Sequence, residues 1–261
     1  MFSSYGMLTK STLTWCLFGI VSAHAAVQVT YLPAESDSGK KAKQAIVDSG
    51  VNSVIVNLAQ EHFKFKQPLT IQYGGDEGPL YDPETHTIHI PYNFYTQTVS
   101  YFEQNQYQEK FDRSAQLGAI DTMMHTLLHE AGHAYIEDQA IPILGKEEDA
   151  VDNFAAVIMI EYVENGDEAS ISAADMFAFE SQDRPDYYQA DEYIDEHSFD
   201  LQRYFSTLCL VYGSNPEKHA DLLNEIERDL LAERKEFCVS QFQTINNNWH
   251  RYLTSENASY F

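Results

Sequence analysis

The chain has 261 residues, and its 40 acidic against 16 basic side chains give a net charge of −24, with 44% hydrophobic and 13% aromatic residues. A surface this acidic repels phosphate backbones, which excludes nucleic-acid binding through a basic patch. The 17 Tyr, 15 Phe and 2 Trp supply enough apolar area for a folded core, which excludes acidity-driven disorder.

Lys10 is the only charge in residues 1–25, and it is followed by the apolar stretch Leu13 to Ala23 and the small-residue pattern Ala23-His24-Ala25. This reads as a secretory signal peptide cut after Ala25, leaving one domain over residues 26–261 and no membrane span after cleavage. The expected location is the periplasm or the exterior. Cleavage removes Cys16, so Cys209 and Cys238 are expected to form one disulfide in the exported chain.

A short strand is expected at Val27 to Leu32. A helix follows from near Ser38 to before Pro68, because Ala42, Ala45, Ile46, Val51, Val54, Ile55 and Leu58 recur at helical spacing. Residues 69–73 and 85–90 alternate with period two, with Gly74-Gly75 and Asp82-Pro83 as turn signals between them, and read as a small antiparallel sheet. From Asn93 onward the chain reads as helical, with breaks at Pro142 to Gly145, Asn165-Gly166, Arg184-Pro185 and Gly213 to Pro216. The expected class is α+β, mostly helical.

The chemistry lies in residues 125–138, which contain His129-Glu130-Ala131-Gly132-His133. Residues four apart on a helix share a face, so His129 and His133 can present two imidazoles to one metal ion. Met124, Leu127, Leu128, Ala131 and Tyr135 lie opposite and would pack on the core. Glu130 falls beside the metal, in the position of a general base for water. Two imidazoles and a carboxylate suit Zn²⁺. His125, one turn upstream, is read as structural, because a fourth protein ligand would close a site that must hold water.

The next helix supplies the third ligand. Glu148 and Asp152 share one face, while Val151, Phe154, Ala155 and Ile158 form a stripe that can lay this helix on the first. Glu148 is the first choice as ligand, and Asp152 can accept an N–H from a ligand imidazole. Glu147, Asp149 and Asp152 remain alternatives for the third ligand.

These residues resemble the gluzincin pattern of two histidines and a glutamate from a following helix, with a short spacing similar to that of ImmA/IrrE-type peptidases. More closely, Gly145-Lys146-Glu147-Glu148-Asp149-Ala150, residues 195–203 and residues 209–216 are similar to the signature stretches of an exported bacterial metallopeptidase family filed as a domain of unknown function. The resemblance implies a zincin-like fold and zinc-dependent cleavage of a peptide or protein substrate.

His197, Arg203, Tyr204 and Tyr212 are candidates to stabilise an oxyanion. His197 is preferred because it stands at an expected helix start in an acidic stretch, whereas Arg203 reads as an ion-pair partner. The strand ending at His89-Ile90-Pro91 is a candidate edge for a peptide to join as an extra strand. Two readings compete with the peptidase: a non-enzymatic envelope protein whose structural zinc supports a binding module, and a metallohydrolase acting on a non-peptide bond such as an ester.

Overall fold

In the computed structural model the described residues are 26–183, 188–190 and 192–253. The signal-peptide reading of residues 1–25 and the break at Arg184-Pro185 lie outside them.

Strand β1 (Val27–Tyr31) leads into helix α1 (Asp37–Ser49), which starts at a Ser36 cap whose Oγ accepts the Gly39 N–H. One helix was expected from Ser38 to Pro68, but Gly50 adopts φ 74° and splits it, so that α2 (Val51–Glu61) leaves in a new direction. The left-handed conformation ends α1 at no steric cost to glycine, and periodicity carries across such a break unseen.

The sheet comprises β1, β2 (Leu69–Tyr73), β3 (Leu80–Asp82) and β4 (Thr87–Ile90) in the order β1-β2-β4-β3. It is not the antiparallel sheet expected. β1 pairs with β2 and β2 with β4 in parallel, and only β3 runs antiparallel to β4. The segment between β2 and β4 is long enough to turn back at Gly74, Gly75 and Gly78, all at positive φ, and to lay β3 along the outer edge before β4 returns beside β2. Because β3 runs antiparallel to β4 within this connection, β4 comes back parallel to β2. β4, expected at the edge, is therefore an inner strand, and the edges of the sheet are β1 and β3. Leu69, Ile71, Tyr73, Ile88 and Ile90 are fully buried beneath the helices.

Beyond the sheet the chain is helical: α3 (Tyr92–Gln104), α4 (Tyr107–Phe111), α5 (Ala115–Gln139), α6 (Glu147–Tyr162), α7 (Gly166–Ser181), α8 (Asp200–Ser214) and α9 (Arg228–Trp249). The breaks expected after α5, α6 and α8 are present, and α3 and α4 end at further ones near 105 and 112. The protein is thus α+β with a helical majority. α5 runs through its centre, touching β3, β4, α2, α3, α6 and α7. Its N-terminus is capped by Ser114, whose Oγ accepts the Leu117 N–H at 3.1 Å.

α5 and α6 pack closely because position 132 is glycine. A Cβ there would lie 3.0 to 3.1 Å from Val151 and Phe154, tighter than ordinary side-chain contact. Leu127, Leu128, Ala131 and Tyr135 of α5 are buried with Val151, Phe154, Ala155 and Ile158 of α6 in the main apolar core. This contact brings the acidic first turn of α6 level with the histidines of α5. On the far side, Cys209 of α8 and Cys238 of α9 form the expected disulfide. Among the described residues no helix is long and apolar enough to cross a membrane.

Candidate active site

His129 and His133 stand one turn apart on α5, their rings 5.0 Å from centroid to centroid, and Glu148 reaches them from the first turn of α6. One ligand atom from each of the three lies within 4.8 Å of the others. His129 Nε2 is 3.1 Å from Glu148 Oε2, and His133 Nε2 is 3.4 Å from Glu148 Oε1. The opposite nitrogen of each ring is held by a second acid. His129 Nδ1 meets Asp152 Oδ1 at 2.7 Å, and His133 Nδ1 meets Glu147 Oε1 at 2.8 Å. A carboxylate on Nδ1 fixes the ring tautomer and turns the Nε2 lone pair toward the common point. Of the four acids weighed as third ligand, Glu148 converges on both imidazoles, Asp152 and Glu147 stand behind them, and Asp149 faces a different groove.

The two braces differ in depth. Asp152 is buried, and Arg203 of α8 clamps it with Nε on Oδ2 at 2.7 Å and Nη2 on Oδ1 at 2.8 Å. The guanidinium also lies 4.0 Å from the centroid of the Phe177 ring. Arg203 is thus an ion-pair partner, as expected. The bidentate pair offsets the desolvation of two buried charges. Glu147 is half-exposed, and among the described residues it has no such clamp.

Electrostatics follow this crowding. Burial opposes charge on His129, but the carboxylates of Asp152 and Glu148 beside its two ring nitrogens outweigh that and lift it to about 9. Burial alone would raise Glu148, yet the imidazoles of His129, His133 and His197 around it hold it far below the carboxylate range. Glu130 sits next to this cluster, 7% exposed, and burial raises its pKa despite the nearby imidazoles. His125 is buried, its Nε2 has no hydrogen-bond partner among the described residues, and burial pushes it down to about 4.

His197 comes from the loop before α8, three residues short of the helix on which it was expected. Its ring lies parallel to His129 at 6.4 Å, and its Nε2 is 3.0 Å from Glu148 Oε2. Lys146, the residue before α6, pins this loop by donating Nζ hydrogen bonds of 3.0 Å to the carbonyls of Asp195 and His197. Tyr204 instead bonds Glu225, and Tyr212 packs in the α7–α9 layer, so neither reaches the cleft.

A cleft of about 700 Å³ opens over these groups, with Glu130, His133 and Glu148 on one side and Leu80 and Tyr81 of β3 on the other. Tyr81 donates its hydroxyl to Glu137 Oε2 at 2.6 Å, tying the edge strand to α5. The roles of Glu147, Lys146 and Tyr81 were missed from sequence. Glu147 and Lys146 lie in the 145–150 signature, which hinted at them, whereas β3 is too short to show an alternating pattern.

A family model described as "Putative metallopeptidase" matches residues 31–253, and the chain belongs to that family. The description points to hydrolysis of peptide or protein substrates with a metal cofactor. No curated protein and no solved structure matches the chain.

Proposed function

We propose that the protein is a zinc-dependent peptidase of the cell envelope with a gluzincin-type site on a zincin-like fold: His129, His133 and Glu148 hold the metal, Glu130 is the general base, and His197 steadies the oxyanion. The observation that carries this reading is the convergence of two braced imidazoles on one partly buried carboxylate beside a second, desolvated one.

The donor set fits such an ion. Glu148 Oε2 is buried and lies 3.1 Å from His129 Nε2 and 3.0 Å from His197 Nε2 without a well-formed hydrogen bond to either, which leaves its charge available to a cation held with His129 and His133. Two nitrogens and one carboxylate oxygen match three-ligand catalytic zinc. Bound there, zinc supplies Lewis acidity that polarises the scissile carbonyl and makes water a nucleophile near neutral pH.

The chain's own residues do the rest. Glu130 takes a proton from the attacking water and delivers it to the leaving amine, a role its raised pKa suits. His197 directs Nε2 into the cleft, where it can donate to developing negative charge. Arg203 and Asp152 hold His129 in register, and Glu147 does the same for His133. The Cys209–Cys238 disulfide supports an envelope or extracellular location, where such bonds persist.

The test is metal analysis and peptide cleavage on the same preparations. Wild type is expected to hold one zinc per chain and to cut members of a mixed peptide library. Glu130→Gln should retain zinc and lose about 10²- to 10⁴-fold in kcat/KM. Full zinc occupancy with no cleavage of any peptide, and a melting temperature that falls on chelation, would sink the peptidase reading in favour of a structural zinc.

A further inference from the structure

Three consecutive residues at the start of α6 each meet a different part of the cleft. Glu148 lies 3.1 Å from His129 Nε2, 3.4 Å from His133 Nε2 and 3.0 Å from His197 Nε2, and Glu147 meets His133 Nδ1 at 2.8 Å. Lys146 reaches backbone instead. Its Nζ donates at 3.0 Å to the carbonyl of Asp195 and at 3.0 Å to that of His197. An ammonium carries three donors, so one side chain can bridge both carbonyls and fix the stretch from which the His197 ring projects. The Asp195 carboxylate adds to the hold by accepting the His197 N–H at 2.8 Å.

His197 needs such a hold. Its side chain is 47% exposed and stands on a loop, whereas that of His129 is 8% exposed on the central helix. Polar contacts rather than burial must therefore set its direction. One of these, Glu148 Oε2, is also the oxygen a metal ion would draw on. The same oxygen cannot serve the His197 ring and a cation at full strength, so metal binding weakens the tether on the ring and leaves the tethers on its backbone.

We propose that Lys146 is a positioning residue, which keeps the His197 ring directed into the cleft once a metal engages Glu148 and acts on the reaction through His197 alone. The inference rests on the peptidase reading, in which His197 steadies the oxyanion. Lys146 and Glu148 share the first turn of α6, so one rigid element sets both the metal ligand and the loop that carries the oxyanion donor. Such a donor must stand within a few tenths of an ångström of its place to be effective, which is why a contact to its backbone bears on rate.

The experiment is a kinetic cycle of Lys146→Met, His197→Ala and the double variant on a peptide that the wild type cuts. Lys146 is exposed, so all three should hold zinc and Lys146→Met should melt within about 2 °C of wild type. Lys146→Met should lose about 10-fold in kcat with KM within about 2-fold, and Lys146→Arg, which keeps charged donors, should return to within about 3-fold of wild type. His197→Ala should lose about 10²-fold, and adding Lys146→Met to it should cost less than about 2-fold more. Wild-type kcat in Lys146→Met or in His197→Ala, or losses that multiply in the double variant, would overturn the assignment.

Amide hydrogen exchange at His197 separates this failure from that of the peptidase reading, because it needs no cleavage. In the zinc-loaded protein, Lys146→Met should speed that exchange about 10-fold or more, and by less in the zinc-free protein, where Glu148 still holds the ring. Such a difference supports the proposal even where no peptide is cut, and unchanged exchange in the zinc-loaded protein refutes it.

Discussion

The α5–α6 pair and the α7–α9 layer hold together by different means. α5 and α6 are seated in the main apolar core, where Leu127, Ala131, Val151, Phe154 and Ala155 are fully buried. The layer of α7, α8 and α9 has a smaller apolar cluster around Ala174, Leu208, Tyr212 and Leu223, reinforced by the Cys209–Cys238 bridge and by polar ties such as Tyr204 to Glu225. At Gly213 α8 and α9 approach so closely that a Cβ would lie 2.2 Å from the Cys238 carbonyl oxygen. The proposed metal ligands therefore stand on the part held by apolar burial. The groups that steady and flank them, Arg203 and His197, arrive from the part held by a covalent staple. The site depends on both, and its tolerance to change should differ accordingly.

The largest effect is expected where the two regions meet. Arg203→Met leaves Asp152 buried without its cation and should cost about 3 to 5 kcal/mol in urea unfolding. It should also weaken zinc binding about 10- to 100-fold, because the His129 brace is lost. A loss under about 1 kcal/mol would mean that the outer layer does not support the centre.

Next in size, the paired change Cys209→Ser with Cys238→Ser opens a loop whose ends are 29 residues apart and should cost about 3 to 4 kcal/mol. Hydrogen exchange sharpens the comparison: amides of α8 and α9 should lose protection while those of α5 keep theirs. Equal loss in both would show that the regions unfold as one.

A smaller, pH-dependent effect is expected at Asp175 of α7. Burial lifts it from 3.8 to about 6, against the lowering effect of the Tyr107 hydroxyl that donates to it at 2.8 Å. The folded state thus binds this proton more tightly than the unfolded chain. The contribution is fully present below about pH 4 and is lost as pH rises through about 6. Asp175→Asn should therefore be more stable than wild type by about 1 to 3 kcal/mol at pH 8 and by little at pH 4. Urea titrations at the two pH values check the sign, and a variant less stable at pH 8 would contradict it.

The smallest effect should be at Glu147. Its carboxylate is half-exposed, so Glu147→Gln should cost under about 1 kcal/mol of stability and weaken zinc binding less than Asp152→Asn does. A loss as large as that of Asp152→Asn would remove the distinction between a buried and an exposed brace.

Much of the site was legible in the sequence because it obeys helical periodicity. His129 and His133 are four apart, Glu148 and Asp152 are four apart, and the apolar stripe from Val151 to Ile158 states which faces meet. The sheet was less legible. Local alternation marks a strand but carries no information on its partner's direction, so β2 and β4 read as antiparallel and the three residues of β3 left no trace. The break at Gly50 was hidden for a similar reason, since the same apolar spacing continues on both sides of it.

The sequence by itself determined the two central helices, the face each buries, the disulfide pair and the family to which the chain belongs. These follow from patterns within a few residues or from motifs along the chain. Only the tertiary structure decided that Arg203 reaches Asp152 across 51 positions, that Lys146 pins the His197 loop, and that β3 and not β4 walls the cleft. Each of these depends on where separate elements pack, and packing is set by the summed burial of many residues rather than by any local pattern.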